Sequence, residues 1–170
     1  MRKKQKKKNK NFFNGIIYLI LIGLLIYSGI KIFKWNKENS NNNNITDKIN
    51  EAVTVEKNSE GKEDFNINFN TLKKQNEDTV AWIKVNNTNV KYPVVKAKDN
   101  SFYLTHSFDK SNNSAGWIFA DYKNKFDDTD KNIVIYGHNR RDGSMFSSLK
   151  NALNPNWYNN DLNRNILLYT

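Results

Sequence analysis

The sequence has no cysteine, which excludes disulfides, thiolate metal ligands and a cysteine nucleophile within its 170 residues. Histidine is nearly as scarce. His106 and His138 are the two copies, and neither has a second histidine or a cysteine at ligand spacing, so no metal site is expected. The seven glycines are scattered singly, leaving no phosphate-cradling loop, and DGSMF around Ser144 lacks the flanking glycines of a nucleophile elbow. No cofactor is expected. Acidic residues are missing only locally: residues 1–37 hold ten of the 27 Lys/Arg and no Asp or Glu, while 38–170 hold 17 of each sign. The net charge of +10 therefore belongs to one N-terminal block, and no nucleic-acid partner is expected for the rest of the chain.

Within that block lies a run of 19 residues without charge, FFNGIIYLILIGLLIYSGI at 12–30. A helix of this run spans roughly 28 Å at about 1.5 Å per residue, against a hydrocarbon core of ~30 Å. Lys31 and Lys34 can reach the far interface, where Tyr27 and Trp35 are also suited. A cleaved signal peptide would have a shorter apolar region and a small-residue exit, and KIFKW offers none. The expectation is a single-pass signal-anchor over 12–33 in the cell membrane. The basic segment 1–11 would be cytoplasmic and everything after the anchor extracytoplasmic.

Residues 34–64 are polar and Asn-rich, with too little apolar area to offset the entropy of ordering, and are expected to be a spacer. Ile45, Ile49 and Val53 have near-helical spacing, a weak signal for a short helix. From 65 the pattern changes. VAWIKV (80–85) and NVKYPVV (89–95) read as strands around the turn Asn86-Asn87-Thr88, with Pro93 implying an edge or a bulge. DNSFYL offers Asp99 or Asn100 as the cap of a short helix ending near His106. GWIFAD (116–121), NIVIYG (132–137) and NILLYT (165–170) read as further strands. Ser144 reads as the N-cap of a helix whose apolar face is Met145, Phe146, Leu149, Ala152 and Leu153. Short strands with small helices between them indicate a mainly β, barrel-like domain over 65–170.

His138 follows the strand NIVIY and a glycine, where a chain leaves its sheet and functional side chains tend to lie. The bland alternative is a loop imidazole bonded to nearby backbone. His106, at the end of FYLTHSF, reads as a helix-end residue. The acids of KFDDTDKN lack the spacing of a calcium loop and read as solvated.

Four stretches, NEDTVAWIKVNNTNVKYPVV (76–95), DNSFYLTHSF (99–108), GWIFADYKN (116–124) and NIVIYGHNRRDGSMFSSL (132–149), together resemble class B sortases, membrane-anchored cysteine transpeptidases of Gram-positive bacteria. The resemblance covers roughly 69–170 and implies a sortase-type β-barrel, incomplete here, behind one N-terminal transmembrane helix. It implies a reaction in which a cysteine thiolate attacks the Thr carbonyl of a C-terminal sorting signal of Asn-Pro-x-Thr-Asn type. A peptidoglycan amine then resolves the thioacyl-enzyme, fixing a surface protein to the wall. Carried over by motif, His138 would be the general acid/base, and Tyr136, Asn100 and Leu104 would line the substrate groove. The family's nucleophilic Cys and oxyanion-stabilising Arg come from two later strands. Here there is no Cys, and Arg164, the last arginine, precedes the matching position. The expectation is a chain that stops before both residues, either part of a longer enzyme or a truncated product, and inactive by itself. The alternative is a non-enzymatic, membrane-anchored binding module on part of that scaffold.

Overall fold

The computed structural model describes residues 3–57 and 63–170, in two compact units, one ending at Ser40 and the other running from Asn41 to Thr170. The first unit is helical throughout its described residues. It belongs to α1 (Lys3–Asn50), which contains the uncharged run and is long and apolar enough to cross a membrane. Side chains along that run face outward, as Leu19 and Leu25 do at 71% and 72% exposed. A stripe of this kind needs an apolar surrounding.

The second unit opens with the end of α1, and here the structure departs from the expected spacer. Ile45 and Ile49, one turn apart on one helical face, are 6% and 2% exposed and join Ala52 in the core. The neighbouring asparagines are used as well. Asn42 Oδ1 accepts hydrogen bonds from Ser107 Oγ at 2.7 Å and Asn113 Nδ2 at 2.9 Å, and Asn41 Nδ2 donates to Ser111 Oγ at 3.2 Å. Average polarity concealed a single helical face on which Asn41 and Asn42 bond and Ile45 and Ile49, the next turns along, are buried. The chain then pairs β1 (Val53–Lys57) antiparallel with β2 (Glu63–Ile67), Val53 opposite Ile67.

α2 (Phe69–Gln75) is capped by Asn68, whose side chain accepts from the Thr71 amide, and it buries Leu72. It leads into β3 (Thr79–Val85), which turns at Asn86-Asn87 into β4 (Lys91–Val95). Asn87 takes the positive φ of 51° that the turn requires, a conformation asparagine tolerates. β5 (Phe119–Ala120), β6 (Ile135–Tyr136) and β7 (Ile166–Tyr169) complete a curled, half-barrel sheet of order β6-β5-β4-β3-β7. Only the β4–β5 pairing is parallel, and it rests on Val95 opposite Phe119. Pro93 therefore lies beyond β5 on a strand that is otherwise internal, so its missing N–H leaves no gap in the ladder. Its carbonyl accepts from the buried Trp117 indole at 3.0 Å.

Two local expectations change. The helix predicted after Ser144 is a 3-10 segment, Ser147–Leu153, and Ser144 does not cap it. Asp142 Oδ1 instead takes both the Ser144 amide and its hydroxyl, closing a turn ahead of the segment. Of the predicted apolar face, Met145 is buried but Leu153 is 83% exposed, because the tighter 3-10 winding breaks the 3.6-residue stripe. α3 (Pro155–Tyr158), with Asn154 as its cap, precedes β7.

Candidate active site

The site residues singled out in the sequence fall in two segments, 100–104 and 136–138, and the structure ties these together at two points. The first tie runs through Asp121. Its Oδ2 accepts from Asn100 Nδ2 at 2.8 Å and from the Tyr136 hydroxyl at 2.9 Å, while its Oδ1 accepts from the Lys123 amide at 2.9 Å. Asn100 Oδ1 accepts from the Tyr122 amide in return. The Lys123 amide, then the Asn100 amide and, less strongly, the Tyr136 hydroxyl hold the Asp121 carboxyl below the usual carboxylate range, against the cost of desolvation. The same bond to a carboxylate pushes the Tyr136 phenol up, since ionisation would set two negative charges against each other.

The second tie is between His138 and Leu104. The N-cap of the turn Phe102–Leu104 is Ser101, not Asp99 or Asn100 as expected, and Asp99, two residues before it, accepts at Oδ1 from the amides of Ser101 and Phe102. Leu104 projects a half-exposed side chain, and its carbonyl oxygen lies 2.9 Å from His138 Nε2. Tyr103, between them in the turn, is fully buried. Its hydroxyl donates to Asp78 Oδ2 at 2.6 Å and accepts from Asn76 Nδ2 at 2.8 Å, fixing the turn to the start of β3.

His138 itself is placed by the packing of the residues beside it. At Gly137 a Cβ would come within 2.4 Å of Ile118 Cδ1 and 2.8 Å of the Phe146 ring, so only glycine lets the chain lie this close to the core. The His138 carbonyl accepts from the Phe146 amide at 3.0 Å, and Asn139 pairs with Met145. The intervening loop is closed by Arg140, which meets Asp142 Oδ2 at 2.7 Å. Desolvation raises the Asp142 carboxyl, but bonds from Arg140 and Ser144 outweigh it and hold the group at about 2. His106 lies apart from this arrangement in role. Its ring stacks on Phe102 at 4.0 Å, and its Nδ1 meets the Phe102 carbonyl at 2.7 Å, consistent with a residue closing a helical turn.

Asn100 and Tyr136 are thus joined through Asp121, which the sequence did not assign, and Leu104 and His138 are joined directly, through the Leu104 backbone and not its side chain. Among the described residues no group of three His, Cys, Asp or Glu is placed to hold a metal.

Over 155 residues the chain is 36% identical to Sortase B of Listeria monocytogenes, covering 88% of this chain and 61% of the relative. The crystal structure of sortase B from Bacillus anthracis superposes with a TM-score of 0.65 at 32% identity, covering 79% of this chain and 63% of that one. Over the length it spans, the chain belongs to the class B sortase family. A Staphylococcus aureus sortase B–substrate complex matches at 33% identity and a TM-score of 0.56, over 61% of this chain and 47% of that one. The chain spans about three fifths of the length of the curated sortases it matches. No protein-family model matches it.

Proposed function

We propose that these 170 residues carry the histidine side of a sortase B-type cysteine transpeptidase, held at the outer face of the cell membrane by α1. In this reading a thiolate attacks the Thr carbonyl of an Asn-Pro-x-Thr-Asn-type sorting signal. His138 protonates the leaving amine, then accepts a proton from the peptidoglycan amine that resolves the thioacyl intermediate. Asn100, Leu104 and Tyr136 line the groove that takes the signal peptide. The thiolate comes from outside these residues, which hold no cysteine, so by themselves they bind the signal without cutting it.

The observation that carries this reading is the double clasp of segment 136–138 onto segment 100–104 in a sortase B relative. It presents an imidazole, a phenol, an amide and a leucine side chain on two short segments, the chemistry needed to seat a peptide and move a proton. The test uses the full chain in detergent micelles with a fluorescent Asn-Pro-x-Thr-Asn peptide. Saturable binding that a scrambled peptide does not reproduce is expected, with the peptide recovered intact by mass spectrometry. Equal binding of both peptides, or cleavage by this chain alone, would overturn the reading.

A further inference from the structure

A carbonyl oxygen can only accept, so the 2.9 Å contact between Leu104 O and His138 Nε2 requires the proton on Nε2. A neutral imidazole carries one N–H, which leaves Nδ1 with its lone pair and no hydrogen-bond partner among the described residues. His106 provides the opposite case in the same chain: its Nδ1 meets the Phe102 carbonyl at 2.7 Å and must carry the proton there.

The approach of His138 to Leu104 depends on a residue that touches neither ring nitrogen. Gly116 has φ +59°, in the left-handed region that favours glycine, and a Cβ there would meet three groups at once. It would stand 2.5 Å from the Tyr103 carbonyl, 2.8 Å from the Leu104 carbonyl and 2.9 Å from His138 Cδ2. The Tyr103 carbonyl cannot retreat easily. The Trp117 amide donates to Tyr103 O at 2.9 Å, the Gly116 amide donates to Asn113 O at 3.0 Å, and the Tyr103 hydroxyl is held by Asp78 and Asn76. The contact between the Leu104 carbonyl and the imidazole is what a side chain there would disturb.

We propose that Gly116 is a positioning residue for His138: by placing no side chain between the turn and the ring, it lets the Leu104 carbonyl hold the Nε2–H tautomer and commits Nδ1 to proton transfer. The proton given to a leaving amine departs from Nδ1, and the one taken from an incoming amine returns to Nδ1. Nε2–H stays on Leu104 throughout. This rests on His138 being the acid/base group, but its test does not use peptide binding, so the two ideas fail separately.

The full chain, labelled with 15N-histidine in micelles, is studied by long-range 15N–1H correlation at alkaline pH, where imidazoles are neutral. His138→Gln assigns the two rings. The expected spectrum shows His138 as the Nε2–H form and His106 as the Nδ1–H form. A His138 ring in the Nδ1–H form overturns the proposal. Gly116→Asn introduces a Cβ while keeping a residue that tolerates positive φ. It should shift the His138 tautomer ratio by roughly 2- to 12-fold, the range of one hydrogen bond's net worth, and leave His106 unchanged. Gly143→Asn is the control, because φ is also positive there (+85°) but a Cβ meets only Asn89 Nδ2, at 3.9 Å. An unchanged ratio in folded Gly116→Asn, or an equal shift in Gly143→Asn, overturns the assignment. If Gly116→Asn does not fold, scalar coupling across the Nε2–H···Leu104 bond in the unaltered chain decides, and its absence counts against the proposal.

Discussion

Ile49→Ala is expected to destabilise the second unit severely, although Ile49 sits in a stretch whose composition reads as spacer. Ile49 is 2% exposed at the end of α1, in one core with Leu72, Trp82 and Trp117. The substitution removes three carbons, worth about 2.4 kcal/mol at ~0.8 kcal/mol per buried methylene, before any cavity is counted. Partial collapse of the surroundings leaves a cavity that brings the cost of such truncations to about 2–5 kcal/mol. For a unit of this size, with an unfolding entropy of about 2.1 cal/mol/K per residue, that is a fall of roughly 7–18 °C in Tm. Thermal unfolding of the full chain in micelles, followed by tryptophan emission, reads it directly, since Trp82 and Trp117 are each 1% exposed. Val55→Ala is the comparison: Val55 is 51% exposed, and its loss should cost under about 0.5 kcal/mol. Equal Tm values for the two variants would mean that Ile49 is not packed in solution and that the stretch is a spacer after all.

Three further outcomes are expected. The Asp142 carboxyl should titrate near pH 2 by NMR. Its folded value lies below the ordinary 3.8, so its stabilising contribution is complete above about pH 4 and is lost as pH falls toward 2, and Asp142→Asn should flatten that acid limb. Tyr136→Phe should raise the Asp121 titration midpoint by removing one donor, yet leave it below the usual range because the Lys123 and Asn100 bonds remain. No movement would mean that the two side chains are not bonded. The absence of native cysteine makes single thiols clean reporters: Asn39→Cys should react with an impermeant maleimide on intact cells, and Gln5→Cys only after permeabilisation, the reverse pattern refuting the outward topology.

Legibility in the sequence followed the range of the interactions involved. The apolar run inside α1 is a local property of consecutive residues, and hydropathy alone finds it. β3 and β4 were equally visible, because alternation and the Asn86-Asn87 turn lie within a few residues of what they determine. Of the four residues that the resemblance names, only His138 was also marked by its place after a strand and a glycine; Asn100, Leu104 and Tyr136 rested on motif alone. Nothing in the spacing of Asn100 and Tyr136 says that a carboxylate twenty-one residues beyond the first will join them. Asp121 stood in a quoted segment, GWIFAD, and passed as the polar end of a strand. The Asn-rich stretch failed for a different reason. A composition argument averages over the helix circumference, whereas burial is decided on one face, and two isoleucines four residues apart suffice to seat it.

The zero cysteine count acquires a sharper meaning once the site geometry is known. On the proposed reading His138 needs its ring fixed by one nitrogen and open at the other, and a backbone carbonyl and a glycine supply the fixed side. Neither device requires the nucleophile to be present. The orientation of His138 is therefore a property of segments 100–104, 116–117 and 136–138, all of which lie within these 170 residues. That separability is what makes the tautomer of His138 measurable in this chain before any acyl transfer is attempted. On the proposed reading, the His138 ring is held by the turn at Phe102–Leu104 wherever the thiolate comes from.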